Sequence, residues 1–489
     1  MFHPIHRGQL LYISFTLITG VIVGLSAIAI GGIDFDTSWV GFLLSSIVML
    51  VVAIAGGMVR WKRNKDYFDT GILVSLMFIA YFIIGGIGLK VYPEVMPIPL
   101  GQKWLNLAMV YASLGLASFW IGYGILPEST GGNRDIRSRE MRGRSPKILF
   151  MLFLYVIGAG VRIYLSKLGV FSYAGDWQKA YALNLSGAGQ LLQILSDFSG
   201  IVTVAFGIEA FSKKGTDGTN YRIMFWLLTI NEIIWGLMSG MKGKVIWPFE
   251  VYILVYWYCK HRLPKHAIVV AFLVLIFLVP INTSYRALIN TGGAISSLGA
   301  MASTVGKAVS IALDVLLSPG KLLEQVTKWY VGRNSLLLSV GVIASSLSFA
   351  EPIIPRFVYA ILPIYAFIPR TLWPGKPVLE AGRIFAIRYF GMPQDTRQST
   401  ALSIIGDALL SFGVVGIIVC LLLLGIIYKA IYRWHVQRYS KFTTLVYIAL
   451  LVSPLLWIEG TIPELVVALI RRLVGAVIIG TLLYRVDLF

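Results

Sequence analysis

At 489 residues, 57% of them hydrophobic and 13% charged, with a mean hydropathy of +0.78, the chain carries about half the charge of an ordinary soluble domain. It reads as a polytopic membrane protein, and its formal net charge of +19, which would suggest nucleic acid in a soluble chain, sits largely in short loops where the positive-inside rule places it, so no nucleic-acid partner is expected. The two cysteines, Cys259 at the end of one apolar run and Cys420 inside another, argue against a disulfide framework or a Cys-based metal site.

Apolar windows long enough to cross the bilayer fall at 8–30, 38–59, 69–88, 104–125, 148–166, 190–211, 223–240, 244–259, 266–282, 401–432, 442–458 and 464–486. They predict an all-α polytopic fold of about twelve transmembrane helices, each spanning about 30 Å of hydrocarbon. The first run follows a basic patch in the manner of a signal peptide, but it is long enough to span outright and is expected to stay. The seventh and eighth windows are short and separated only by the turn SGMKGKV. Three regions follow: a bundle over 1–282 with about nine helices, a large loop over 283–400, and about three helices over 401–489.

Basic residues cluster at Arg60 to Lys65, Arg134 to Arg144, Ser212 to Thr216, Cys259 to His266 and Tyr432 to Lys441. With twelve spans and both termini in the cytoplasm, all five clusters fall on the cytoplasmic side. The loop over 283–400 then faces outward, and it holds eleven Arg or Lys against five acids. Topology does not explain that excess in a long loop, whereas an anionic ligand does. Its apolar stretches are broken at Pro319, Pro352, Pro355, Pro363 and Pro369, which predicts amphipathic, interfacial or re-entrant helices over the outer leaflet. One pair of them is alternatively two further spans, an arrangement that leaves the termini on the same side. No internal repeat is visible.

A charge inside a membrane helix is expensive and therefore functional by default. Arg162 in the fifth span and Arg471 and Arg472 in the last stand out, with Glu232 and Glu250 of the seventh and eighth as candidate partners. Lys242 and Lys244 lie in SGMKGKV, whose glycines let backbone amides approach an anion. Arg286 and Arg333 flank the entrance of the long loop. Arginine suits phosphate because its planar fork makes two charge-assisted bonds at once.

The run IPRTLWPGKP, Ile368 to Pro377, is followed by a short helix, a polar turn at Ser399 and Thr400, and a membrane helix with an FGxxG step. From Ile368 to Gly416 this pattern resembles the O-antigen polymerase-like (Wzy-type) family of oligosaccharide repeat unit polymerases. The rest of the chain is similar only in topology. Carried over, the resemblance marks Arg370, Trp373, Pro374 and Lys376, then Ser399 and Thr400, then Gly413 and Gly416. It also matches SGMKGKV to a Gly-Ser-Arg type of turn, although Met241 and Lys242 stand where Ser and Arg are expected.

What the resemblance implies is a glycosyltransferase of the all-helical, lipid-dependent, GT-C-like class in a bacterial inner (plasma) membrane. Its substrates are polyprenyl-diphosphate-linked oligosaccharides, its setting is the lipid bilayer, and its protein partners are a flippase and a chain-length regulator. No metal or other cofactor is expected. Arg370 and the cations Arg383, Arg388 and Arg397 join those above in stabilising the departing diphosphate, and the acceptor hydroxyl needs a general base. Asp395 and Glu380 are the first candidates, with Asp176 and Asp407 behind them. Two rival readings stand beside this one. A transporter or flippase for a lipid-linked anion also needs buried arginines, but not a large cationic loop. An O-antigen ligase resembles this architecture but carries an outward His, whereas all five His here are expected in the cytoplasm.

Overall fold

The computed structural model describes residues 39–127, 141, 143, 145–171, 173, 175–176, 178–179, 183, 187–213, 215–292, 295, 297–334, 336–347, 351–368, 372–373, 375–377, 379–394, 396 and 399–485. The regular elements among them are helices: α1 (Trp39–Asn64), α2 (Thr70–Val91), α3 (Gln102–Ile125), α4 (Ile148–Lys167), α5 (Gly187–Ser212), α6 (Gly215–Ser239), α7 (Lys242–Lys260) and α8 (Lys265–Gly292). Then come α9 (Leu298–Leu316), α10 (Pro319–Asn334), α11 (Leu336–Ser346), α12 (Arg356–Ala360), α13 (Leu362–Phe367), α14 (Ala381–Phe390), α15 (Ile404–Gln437), α16 (Lys441–Leu450) and α17 (Ile462–Tyr484). Every apolar window after the first overlaps one of these helices, although α16 covers only the first part of the window 442–458, and the window 8–30 lies outside the described residues. Nine described helices are long and apolar enough to cross a membrane: α1 to α5, α8, α9, α15 and α17. The chain is an all-α, multi-pass membrane protein.

The helix ends follow from local chemistry. Asp69 caps α2 by accepting the amide of Gly71, and reciprocal capping boxes open α16 (Ser440, Thr443) and α17 (Thr461, Glu464). Left-handed residues stop α7 at His261 and α14 at Gly391. Helices α6 and α7, short as apolar windows, are 25 and 19 residues long, because helical geometry continues through polar flanks that hydropathy does not count. Within α15 the backbone breaks at Gly413 (φ 67°, ψ −156°), a conformation that glycine alone adopts readily. The half-helix before the break is buried from Ile404 to Ser411.

Two groups of helices share the core. One is centred on α3, which packs against α1, α11 and α15; the other on α5, which packs against α4, α6, α7, α16 and α17. At one end of the molecule, the loops that carry the basic clusters meet. Asp66, in the α1–α2 connection, accepts bonds from Trp257 Nε1 and Tyr258 of α7 and from Tyr432 of α15, while Lys441 pairs with Glu209 at 2.9 Å and donates to Ser145. Described residues in or beside four of the clusters, those at Arg60 to Lys65, Ser212 to Thr216, Cys259 to His266 and Tyr432 to Lys441, thus meet at one end, while Arg134 to Glu140 lie outside the described residues. The segment 283–400 differs from a plain loop: α8 runs ten residues past 282, and α9 descends onto α8 and α6, burying Met301, Ala308 and Ala312 as one stripe.

Candidate functional site

At the other end of the α5-centred group, five helices enclose a cavity of about 410 Å³. Arg162 enters it from α4, Gln193, Ser196 and Asp197 from α5, Glu232 and Trp235 from α6, Lys244 and Trp247 from α7, and Arg471 and Arg472 from α17. Leu165, Val170, Phe171 and Leu183, in or after the end of α4, complete the wall. Close approaches of backbone position these groups. A side chain at Gly158 would meet the Ser199 amide at 2.4 Å, so α4 lies directly on α5, and Arg162, one turn along, donates its Nε to the Ser196 carbonyl at 3.2 Å. A side chain at Gly236 would meet the Lys244 carbonyl at 2.7 Å, which holds α6 and α7 together just where Glu232 and Lys244 enter.

The charges form two pairings. Arg162 Nη1 reaches both oxygens of Glu232, at 2.9 and 2.8 Å, and Glu232 also accepts from the Tyr155 hydroxyl at 3.2 Å. Asp197 is shared by Arg472 Nη1 at 3.1 Å and Arg471 Nε at 3.7 Å, while Arg471 Nη1 donates to Gln193 at 2.6 Å. Lys244 is exposed to the cavity, its Nζ 5.3 Å from the Phe171 ring. Four cations therefore face two carboxylates, a surplus of two positive charges where the low-dielectric surroundings strengthen attraction for an anion. Among the described residues, no group of three or more His, Cys, Asp or Glu is placed to hold a metal ion.

Of the residues singled out in the sequence, the fold brings together Arg162, Glu232, Lys244, Arg471 and Arg472. Lys242, two residues from Lys244, turns away and stands 4.1 Å over the Trp329 ring of α10. Arg286 lies on α8 and donates to the Gly240 carbonyl at 3.1 Å, with its guanidinium 4.3 Å over Tyr173. It thereby staples the SGMKGKV turn to α8, as Asn282 does at 2.7 Å. Glu250 is half-buried on α7 and does not line the cavity.

Most of the other described candidates lie in or beside α13, α14 and α15. Lys376 is buried, donating to the Ile368 carbonyl at 2.9 Å, and Trp373 packs edge-on against Tyr365. Glu380 pairs with Arg383 at 3.0 Å, Arg388 is exposed on α14, and Ser399 and Thr400 lie against Gly382, whose carbonyl takes the Thr400 amide. Asp176 accepts the amides of Gln178 and Lys179. Asp407 accepts the Tyr359 hydroxyl and the Ile462 amide, tying α12 and α17 to the buried half-helix. Gly416 packs on the Ala408 carbonyl next to the break at Gly413. Arg370, Pro374, Asp395 and Arg397 lie outside the described residues, as does the side chain of Arg333.

Sequence reasoning missed Asp197, Gln193, Phe171, Trp235 and Trp247. Asp197 carried the same signal as Glu232, an acid inside an apolar window. The aromatic residues carried none, because in a membrane helix they are ordinary packing residues. No curated protein and no solved structure matches the chain. Residues 163–449 match the model of a family described as a domain of unknown function, DUF8712, and since that match spans more than half of the sequence, the chain belongs to this family.

Proposed function

We propose that the chain polymerises polyprenyl-diphosphate-linked oligosaccharide repeat units into a surface polysaccharide, by metal-independent glycosyl transfer on the outward face of a bacterial plasma membrane. The observation that carries this reading is the cavity whose four cations outnumber its two carboxylates. A diphosphate diester has one negative charge on each phosphate, so it matches the surplus. In the transfer, an acceptor hydroxyl attacks the anomeric carbon, the bond from that carbon to the diphosphate oxygen breaks, and the lipid diphosphate leaves as an anion. Arg162, Lys244, Arg471 and Arg472 stabilise that charge as it develops, and the hydroxyl proton passes to a carboxylate, for which Glu380 and Asp395 are the candidates that the sequence offers. The PRTLWPGKP element supports the assignment from a second direction, because α13, just before it, packs on α17, the helix that carries Arg471 and Arg472.

The test is turnover of a lipid-linked repeat unit by the purified chain in nanodiscs, with chelator present. Arg471→Gln and Lys244→Gln should each reduce product by about 10²-fold, the size expected for losing one transition-state donor. Wild-type turnover that requires a divalent ion, or full activity in both variants, would sink the proposal. A transporter for the same lipid-linked anion is the second reading, favoured by the discontinuity of α15 at Gly413. Movement of intact ligand across the bilayer without a new glycosidic bond would select it.

A further inference from the structure

The cavity has a second chemical character besides its charge. Trp247 and Arg472 meet at Gly200: a methyl group placed there would stand 3.2 Å from the Trp247 ring and 3.5 Å from Arg472 Nη2. Phe171 and Trp235 contact each other edge to face, with centroids 5.2 Å apart, and Lys244 Nζ lies 5.3 Å from the Phe171 ring. Arg472 and Lys244 therefore each have aromatic rings close by. A phosphate held by Arg472 and Lys244 must present whatever is bonded to it to one of those rings.

Size narrows the choice. At about 410 Å³ the cavity is near the lower end of the roughly 300–1,000 Å³ of small-molecule sites. It has room for a headgroup and one ring, not for an oligosaccharide or a long isoprenoid chain. A sugar ring suits the lining better than an alkyl chain does: its C–H face packs on an aromatic ring, and its hydroxyls need polar partners of the kind that Gln193 and Ser196 bring to the same cavity.

We propose that the cavity recognises a glycosyl diphosphate through its first sugar, with the diphosphate on the cations, that one ring against Trp247, and the rest of the glycan and the lipid chain outside. This rests on reading the cavity as the lipid-diphosphate site. The preference it produces is for the sugar nearest the phosphate and not for the length of the glycan.

The test uses the full chain in nanodiscs and four probes: inorganic diphosphate, polyprenyl diphosphate without sugar, the same lipid bearing one sugar, and the same lipid bearing a complete repeat unit. The single-sugar lipid should bind about tenfold more tightly than the bare lipid, the scale of one good aromatic contact, and the complete repeat unit no more than about twofold more tightly again. Trp247→Leu should remove the tenfold preference and leave bare-lipid binding within about twofold, whereas Trp247→Phe, which keeps a ring and guards against a folding defect, should retain most of it. Equal binding of bare and single-sugar lipids overturns the proposal. So does an equal loss for both in Trp247→Leu, which would assign the aromatic wall to the isoprenoid chain. If no diphosphate probe binds the wild type, and Arg471→Gln changes nothing, the underlying reading of the cavity fails and this one with it.

Discussion

Two clusters of buried charge lie at opposite ends of this molecule, and they are built differently. In the one at the basic-loop end, Arg60 grips Asp69 at 3.1 Å with both side chains almost fully buried. Asp69 Oδ1 accepts from the Tyr123 hydroxyl and the Gly71 amide. Asp66 Oδ1 takes the Phe68 amide and Trp257, and its Oδ2 takes Tyr258 and Tyr432. Arg60 and buried Lys429 both lie near the Tyr123 ring, so two cations balance two acids. In the cavity cluster four cations face two acids, Arg471 is 36% and Asp197 25% exposed, and space remains between them. Buried charge alone therefore does not mark a binding site. The balanced, space-filled cluster holds helices together, whereas the proposed site has surplus charge of one sign beside an open volume.

The sharpest way to break this contrast is to remove one member of each cluster and compare stability with binding. Asp69→Ala leaves Arg60 buried without its carboxylate and should cost about 3–5 kcal/mol, seen as a large fall in Tm or loss of monodisperse protein in detergent. Arg471→Gln, in the cavity, should leave Tm nearly unchanged, since Arg472 still holds Asp197. Affinity for a diphosphate-bearing lipid should nevertheless fall by at least tenfold. Reversal of these two outcomes would exchange the roles assigned to the clusters.

A smaller effect sharpens the account of the closed cluster. Burial holds the Asp66 carboxyl up, from an ordinary 3.8 to about 6, against the pull of its amide, Trp257 and Tyr432 donors. The folded chain thus keeps this proton to a higher pH than the unfolded chain does, and the stability that it contributes is present below about pH 4 and lost as pH rises to about 6. Wild-type Tm should fall across that interval relative to Asp66→Asn, in which the group cannot titrate; parallel Tm curves would remove Asp66 from the account. The smallest effect is expected at the exposed pair Glu324–Lys328 on α10, 2.7 Å apart. Glu324→Gln should change neither Tm nor ligand binding measurably, because solvent screens such pairs.

The sequence by itself located most of the long helices, because crossing a bilayer demands a continuous apolar run, a property each stretch carries alone, but it assigned the span-length helix α9 to a loop. It also exposed Arg162, Glu232, Lys244, Arg471 and Arg472 one by one as charges out of place in apolar surroundings. The cationic run around Lys376 does not join their meeting, since none of its described residues lines the cavity. Only the tertiary structure decided that Arg162 faces Glu232, 70 residues away, that Asp197 lies between Arg471 and Arg472, and that Lys244 joins them while Lys242 points elsewhere. Those outcomes depend on how five helices rotate about their axes when they pack, with close backbone approaches at Gly158 and Gly236 setting the rotation. One residue of register turns a helical side chain by about 100°, and no local feature of the sequence reports that angle relative to a neighbour.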